Sequence, residues 1–177
     1  MNVVEIVFSP TGGTERAADI IAKTWSENAV KIDLSNPKAD FAKCEIKKED
    51  MVLIAMPSFG GRAPAMAISR LRQIAGNGAK CTLVCVYGNR AYEDTLAEME
   101  DAANESGFRV IAAIAAVAEH SIISKYAAGR PRLMKYSWQT LPAVSCQRMG
   151  KLHPSPEAAL AKRAAAVVWF QKRLRIA

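Results

Sequence analysis

Short apolar runs alternate with helical patterns over the first two thirds of this sequence, and most of the runs show no polar alternation. Five such runs occupy residues 3–8, 30–34, 51–56, 81–87 and 110–117. Strands buried on both faces of a sheet have this near-continuous apolar character, and they belong to parallel sheets covered by crossover helices. The alternation therefore predicts an α/β fold: a doubly wound, five-stranded parallel sheet with helices on both faces.

Apolar residues at helical spacing follow the first, third and fourth runs. They predict helices over residues 14–26, from residue 64 to a stop at 76–78, and over 92–106. Thr14 is a candidate N-cap of the first helix, with Glu15 in its first turn. Ligands of doubly wound sheets bind outside the carboxyl ends of the strands. The predicted site therefore consists of the turns at 9–14, 57–64 and 86–94, called here the first, second and third loops.

The charge of the chain is divided unevenly along its length. The 177 residues carry a formal net charge of +7, yet residues 1–129 contain 14 Lys and Arg against 16 Asp and Glu. Residues 130–177 contain 10 Lys and Arg and a single acid, Glu157. The body is thus mildly acidic, which argues against nucleic acid or an anionic membrane as its partner.

Cysteine spacing and the first residues narrow the class of protein further. Cys44, Cys81, Cys85 and Cys146 form no C-x-x-C pair, so we expect neither a zinc ribbon nor an iron–sulfur cluster and predict no metal site. No apolar stretch is long enough for a membrane span, and the start lacks the basic and apolar segments of a secretory signal. We therefore expect a cytoplasmic protein that does not associate with membranes.

The first loop reads S-P-T-G-G-T between a predicted strand and a predicted helix. Its hydroxyls and backbone N–H groups can surround a phosphate, and a helix N-terminus favours negative charge. It is neither a Walker A loop nor a G-x-G-x-x-G fingerprint. Neutral donors suit a phosphate monoester bound without a metal, and the alternative is a plain capped turn. The predicted phosphate-binding residues are Ser9, Thr11, Gly12, Gly13 and Thr14.

The pattern Ser/Thr-x-Thr-Gly-x-Thr after the N-terminal strand resembles the FMN phosphate loop of flavodoxins. Ser9, Thr11, Gly12 and Thr14 match that loop position by position. The resemblance implies a flavodoxin-like fold and non-covalently bound FMN, with its phosphate in the first loop. It implies no catalytic residue, because the chemistry of such a protein belongs to its cofactor.

The second loop, P-S-F-G-G-R-A-P, resembles the flavodoxin segment that lies along one side of the isoalloxazine ring. On that reading, Phe59 stacks on the ring and Arg62 lies near its N1–C2=O edge. The alternatives are a core position for Phe59, a solvated face for Arg62 and an ordinary turn for the glycines. The residues expected to contact the ring are Pro57, Ser58, Phe59, Gly60, Gly61 and Arg62.

The third loop is expected, by the same resemblance, to contact the other edge of the ring through backbone amides. Tyr87 or Tyr92 is a candidate for the second stacking face, and the other tyrosine is expected to pack. The residues assigned here are Tyr87, Gly88, Asn89, Arg90 and Tyr92. The acids that follow, Glu93, Asp94, Glu98, Glu100 and Asp101, are interpreted as a solvated helix face that can also steer a basic partner.

Together, V-F-S-P-T-G-G-T, P-S-F-G-G-R-A-P, V-Y-G-N-R-A-Y-E-D and A-E-H-S-I resemble the flavodoxin half of flavodoxin–ferredoxin fusion proteins of anaerobic bacteria. The resemblance covers residues 2–131, predicted to form one FMN-binding domain. It implies electron transfer with a redox partner protein such as a ferredoxin. His120 follows the fifth run, where it is either structural or near the flavin or a partner.

Residues 132–177 depart from that family, in which two four-cysteine motifs would follow. When the tail is read in a shifted frame, Met134 followed by Lys135 must yield Glu, and Met149 followed by Gly150 must yield Gly. Freely chosen wobble bases at other codons then restore a family-like amphipathic helix. We interpret the tail as out-of-frame translation, poorly ordered, with a possible helix over 156–176. The alternative is a genuine basic tail that binds nucleic acid or a membrane surface.

Two other functions fit the same sequence. An FMN-dependent NAD(P)H:quinone or flavin reductase would need a substrate pocket over the ring, so the sequence leaves open whether the chain is an electron carrier or an enzyme. A binding module that acts through its basic tail is the other alternative.

Overall fold

Parallel strands and helices alternate along the chain in this computed structural model, which describes residues 2–88, 91–118 and 145–146. The strands are β1 (Val3–Val7), β2 (Val30–Asp33), β3 (Met51–Pro57), β4 (Lys80–Tyr87), β5 (Arg109–Val117) and β6 (Ser145–Cys146). The helices are α1 (Gly13–Ala22), α2 (Ala65–Leu71) and α3 (Thr95–Glu105), with a single 3-10 turn at Phe41–Lys43. None of the described helices has the length and apolar character that a membrane crossing requires.

The strands form one sheet in the order β2-β1-β3-β4-β5-β6, in which β1 to β5 are all parallel. The predicted five-stranded parallel sheet is therefore confirmed. The chain runs from β1 outward to β2 and then crosses to β3 on the other side, so the β1 and β3 loops diverge. In sheets of this kind the crevice at such a reversal is where ligands bind.

The short strand β6 pairs antiparallel with β5, through Ile114 opposite Cys146 and Ala115 opposite Ser145. The sequence did not predict it, because two residues carry no periodic signal. Apart from Ser145 and Cys146, the predicted tail lies outside the described residues. The same holds for the helix predicted within it over 156–176 and for His120.

Helices cover both faces of the sheet, as predicted. On one face α1 packs through Ala17, Ala18 and Ala22 against side chains of β1, β3 and β4. On the other face α2 and α3 bring Leu71 and Met99 onto the alternate side chains of the same strands. Small alanines let α1 lie close to the sheet.

The N-terminus of α1 differs from the prediction. Thr14 is not the N-cap but the second helical residue, because Gly12 occupies the cap position with a φ of 79°. A residue without a Cβ adopts this left-handed conformation at little cost, so the helix begins earlier than the hydroxyl pattern indicates. The helix also ends at Ala22, before the predicted Ser26, in a turn where the Trp25 N–H donates to the Ala22 carbonyl at 2.9 Å.

Asp50 holds the starts of β1 and β3 together. Its buried carboxylate accepts the Asn2 N–H at 2.8 Å and the Lys47 N–H at 3.0 Å. The Met51 N–H donates to the Asn2 carbonyl at 2.9 Å. The hydrogen bonds around Asp50 and Asn2 therefore help to set the register of the two strands, in which Val3 lies opposite Met51. The hydrogen bond from Asn2, followed by that from Lys47, lowers the pKa of Asp50.

Replacing Asp50 by Ala is expected to lower the free energy of unfolding by about 2–3 kcal/mol, because two backbone N–H groups lose a charged acceptor. Asp40→Ala is the matched control. Asp40 pairs with Lys43 at an exposed position, so its loss should cost less than about 0.5 kcal/mol. Urea unfolding at pH 7 measures both, and equal losses would contradict this role for Asp50.

Folding lowers the pKa of Asp50 below its ordinary value of 3.8. The stability that the carboxylate contributes should therefore disappear as the pH falls below 3.8.

Candidate cofactor-binding site

The first loop is held in place by the two serines at the ends of β1 and β2. The Ser9 N–H donates to Ser35 Oγ at 2.7 Å, and Ser9 Oγ accepts the Glu15 N–H at 3.0 Å. The Gly12 N–H closes a turn onto the Ser9 carbonyl at 3.2 Å. Ser9 therefore shapes the loop, while its O–H remains able to donate to a ligand. Ser35 was not among the predicted site residues, although a residue that follows a strand parallel to β1 and next to it is expected at the same end of the sheet.

Three backbone N–H groups of the first loop have no acceptor among the described residues. They belong to Thr11, Gly13 and Thr14, at the N-terminus of the ten-residue helix α1. The first N–H groups of a helix have no partner within it, and the helix dipole adds a favourable potential for an anion. A Cβ placed on Gly12 or Gly13 would meet no atom within 4 Å, so the space beside both glycines is open. The loop has the donors and the space that a phosphate group needs.

The second loop forms a tight hairpin. Phe59 and Arg62 exchange backbone hydrogen bonds of 2.9 and 3.2 Å across Gly60 and Gly61. Both glycines have positive φ, 61° and 83°, as a two-residue turn of this kind requires. The Phe59 side chain is 50% exposed, so the alternative that places it in the core is wrong. An exposed aromatic beside two glycines offers a flat apolar surface, and its stacking on a ring stays a prediction.

Helix α3 anchors the second loop through one glutamate and one threonine. Glu98 pairs with the Arg62 guanidinium and also accepts the Ala63 N–H at 2.8 Å. Thr95 Oγ1 donates to Ser58 Oγ at 2.8 Å. The interpretation of Glu98 as part of a solvated face is therefore wrong. Glu98 lies three residues after the buried Thr95, at the edge of the buried stripe of α3, and this spacing is a signal in the sequence for its role.

Arg62 lies at the surface with its guanidinium directed towards α3. Its side chain is 65% exposed, and a second acid, Asp94, lies 3.9 Å away. These two acids offset part of the charge of the guanidinium. A role for Arg62 at the edge of a bound ring stays a prediction.

The third loop brings its two tyrosines together. The rings of Tyr87 and Tyr92 meet edge to face, with centroids 5.2 Å apart and an interplanar angle of 69°. Tyr92 packs against the core between the sheet and α2 and α3, which leaves Tyr87 as the better candidate for stacking. Gly88 is described at the end of β4, whereas Asn89 and Arg90 lie outside the described residues.

The second and third loops also touch at Glu93. A Cβ added to Gly61 would lie 2.2 Å from Glu93 Oε2 and 2.9 Å from Glu93 Cβ. Glu93 itself has a φ of 39°, an uncommon value for a residue with a side chain.

In the part of the chain that the structure describes, no cluster of His, Cys, Asp or Glu could hold a metal ion. The assembled groups are backbone N–H groups, hydroxyls and aromatic faces, which suit binding of an organic phosphate.

No protein-family model and no curated protein matches this chain. Among solved structures, the Flv1 flavodiiron core from Synechocystis sp. PCC6803 matches 68% of the chain at 19% identity with a TM-score of 0.50. The chain spans 31% of the length of that protein. At this identity the similarity shows the fold alone, a flavodoxin-like α/β domain.

Two further structures match with lower TM-scores. The two-electron reduced flavodoxin of Megasphaera elsdenii is 18% identical, with 65% of this chain and 84% of the flavodoxin covered and a TM-score of 0.48. A flavoprotein from Lactobacillus acidophilus NCFM, solved in complex with FMN, is 14% identical, with 64% and 91% covered and a TM-score of 0.48.

Alanine substitution at the two hairpin glycines should separate backbone strain from side-chain overlap. Gly60→Ala adds a Cβ in open space at a left-handed φ and should cost about 1 kcal/mol of unfolding free energy. Gly61→Ala should cost about twice that amount, because its Cβ also displaces Glu93. A double substitution with Glu93→Ala should recover most of the excess, because it removes the carboxyl group and leaves only the Glu93 Cβ close to the new methyl group. Urea unfolding of the single and double variants provides this measurement. Equal losses at the two glycines, without coupling to Glu93, would show that the contact is absent.

Proposed function

We propose that this chain binds FMN non-covalently and transfers electrons through it. The observation that carries the proposal is the row of N–H groups at Thr11, Gly13 and Thr14 that lack acceptors among the described residues, beside the crevice between β1 and β3. A parallel sheet of this order binds its ligand at that crevice, and FMN in flavodoxin is a well-known example of the rule. FMN supplies reversible electron transfer at its ring, and the protein positions the ring and sets its surroundings.

The residues present fit both ends of FMN. The phosphate would be held by the amides of the first loop and by the hydroxyls of Thr11 and Thr14. The loop contributes no lysine or arginine, so neutral donors and the dipole of α1 stabilise the anion. Ring contacts would come from Phe59 on the second loop and Tyr87 on the third, with the Gly60–Gly61 turn allowing close approach of the backbone.

The hydrogen bonds of the second loop give it a defined role beside the ring. Ser58 is held by both its backbone and its side chain. Its N–H donates to the Val86 carbonyl at 2.8 Å, and its Oγ accepts a hydrogen bond from Thr95. Glu98 fixes the other side of the hairpin. A loop tied at these points loses little conformational freedom on binding, which favours affinity. Phe59 would cover one face of a bound ring and exclude water from that face.

The finer part of the proposal concerns partners. The resemblance to the flavodoxin half of flavodoxin–ferredoxin fusion proteins supports electron exchange with a protein such as a ferredoxin. The sequence has no C-x-x-C motif, so we assign no electron transfer to a cluster within the chain. We also propose a cytoplasmic location, whose reducing conditions would keep the described cysteines, Cys44, Cys81 and Cys85, as free thiols.

Removing the hydroxyls of the first loop should weaken binding of FMN but not of riboflavin, which lacks the phosphate. Thr14→Val and Thr11→Val are each expected to raise the Kd for FMN about tenfold, because each removes a hydrogen bond to a charged group. Quenching of flavin fluorescence during titration measures both ligands.

The matched control is Thr24→Val at the far end of α1, where the hydroxyl donates to the Ile21 carbonyl at 2.6 Å. This variant should bind FMN as the unchanged chain does. Equal losses of FMN and riboflavin binding in the first-loop variants would contradict a phosphate site there. Rapid NADPH or NADH oxidation by the FMN-loaded chain with a quinone, in the absence of a partner protein, would favour the reductase alternative.

A further inference from the structure

Glu5 is a buried carboxyl in the middle of the apolar strand β1. It is 2% exposed, and its Oε1 has no hydrogen-bond partner among the described residues. Strand alternation directs its side chain to the α1 face of the sheet, on the side opposite Val4 and Ile6. A carboxyl in this position must either be neutral or be balanced by a nearby cation.

The groups around Glu5 do not balance its charge fully. From β2, its register partner Lys31 places Nζ 4.0 Å from Glu5 Oε1. The same Nζ lies 2.8 Å from Glu15 Oε1 and 2.6 Å from Asp19 Oδ1, both on α1. From β3 the register partner is the apolar Leu53. Three carboxyls therefore share one amine, which donates hydrogen bonds to the two more exposed acids.

This environment favours the protonated form of Glu5. Burial raises its pKa from 4.5 to about 7, and the charges of Asp19 and Glu15 act in the same direction, while Lys31 opposes them. When Glu5 is protonated, the cluster of Glu5, Glu15, Asp19 and Lys31 has a net charge of −1. When Glu5 is ionised, the net charge is −2, and the extra charge is buried.

The cluster is connected directly to the first loop. Glu15 follows Thr14, and its N–H is held by Ser9 Oγ, while its carboxylate is held by Lys31. An additional charge at Glu5, which is connected through Lys31 to Glu15 in the first turn of α1, opposes the potential that the N-terminus offers to an anion. Solvent and salt screen the charge of a buried group only partly.

We propose that Glu5 is a proton-binding site linked to the phosphate site of the first loop: protonation of Glu5 favours binding of the phosphate group, and its ionisation weakens it. The inference rests on the proposed function. By linkage, FMN binding must also favour protonation of Glu5, so binding near neutral pH takes up a fraction of a proton from solvent.

The proton site can be tested without FMN by comparing the chain with Glu5→Gln, which is neutral at every pH. Because the pKa of Glu5 is higher in the folded than in the unfolded chain, its contribution to stability is lost as the pH rises from about 4.5 to about 7. The urea midpoint of the unchanged chain should therefore fall relative to that of Glu5→Gln over this range and then stay level. Glu27→Gln, at an exposed position, is the control and should show no such difference. Parallel midpoints for the chain and Glu5→Gln would overturn the proton site.

The linkage is tested by the Kd for FMN at pH 6 and pH 8. The phosphate of FMN titrates in the same range, but it does so equally in both proteins, so the ratio of their Kd values isolates Glu5. The ratio should be near one at pH 6, and Glu5→Gln should bind FMN about five- to tenfold tighter at pH 8. Riboflavin should show no such change.

A Kd ratio that stays constant with pH, alongside the expected difference in urea midpoints, would overturn the linkage and leave Glu5 as a structural acid. Absence of FMN binding in both proteins would overturn the proposed function and the linkage together. The unfolding data identify that case, because they would still show the pH-dependent difference at Glu5.

Discussion

The N-terminus of α1 is the constraint on which the candidate site depends. The first N–H groups of a helix have no partner within it. Those of Gly13 and Thr14, and that of Thr11 just before the helix, meet no acceptor in the described part of the chain. The left-handed Gly12 caps a helix that begins at Gly13, so all three groups belong to four consecutive residues of the chain. Because the sheet reverses its strand order between β1 and β3, the loops that follow these two strands diverge and leave a crevice beside the groups. The proposed phosphate site would therefore draw on backbone N–H groups together with the hydroxyls of Thr11 and Thr14.

Side chains of α3 determine the shape of the rest of the site. Thr95 and Glu98 hold the second loop through Ser58, Arg62 and Ala63. The hairpin is therefore fixed to the first turn of the helix that follows the third loop. The Glu98–Arg62 pair is partly exposed, and we attribute little stability to it. Its value lies in orientation, since the same carboxylate also accepts a backbone N–H that would otherwise have no partner.

Much of this architecture is predictable from the sequence, because buried parallel strands leave an unambiguous apolar signal and glycines mark the loops. The hydroxyl pattern located the first loop but misplaced the N-cap, since a positive φ at Gly12 has no signature beyond glycine itself. Glu98 and Ser35 were missed because their roles depend on residues more than 20 positions away in the chain. Glu5 stands in an apolar run and is visible in the sequence, but its imbalance with Lys31 requires the register of β2 and the position of α1.

The most direct test of the central claim is amide NMR of the ¹⁵N-labelled chain titrated with FMN. If the first loop binds the phosphate, the N–H resonances of Thr11, Gly13 and Thr14 should shift with FMN and less with riboflavin, which lacks the phosphate. The N–H resonances of Asn2 and Met51, at the amino ends of β1 and β3 and far from the loops, should not move. Shifts of equal size with both ligands at the first loop, or no shifts there at saturating FMN, would contradict the account.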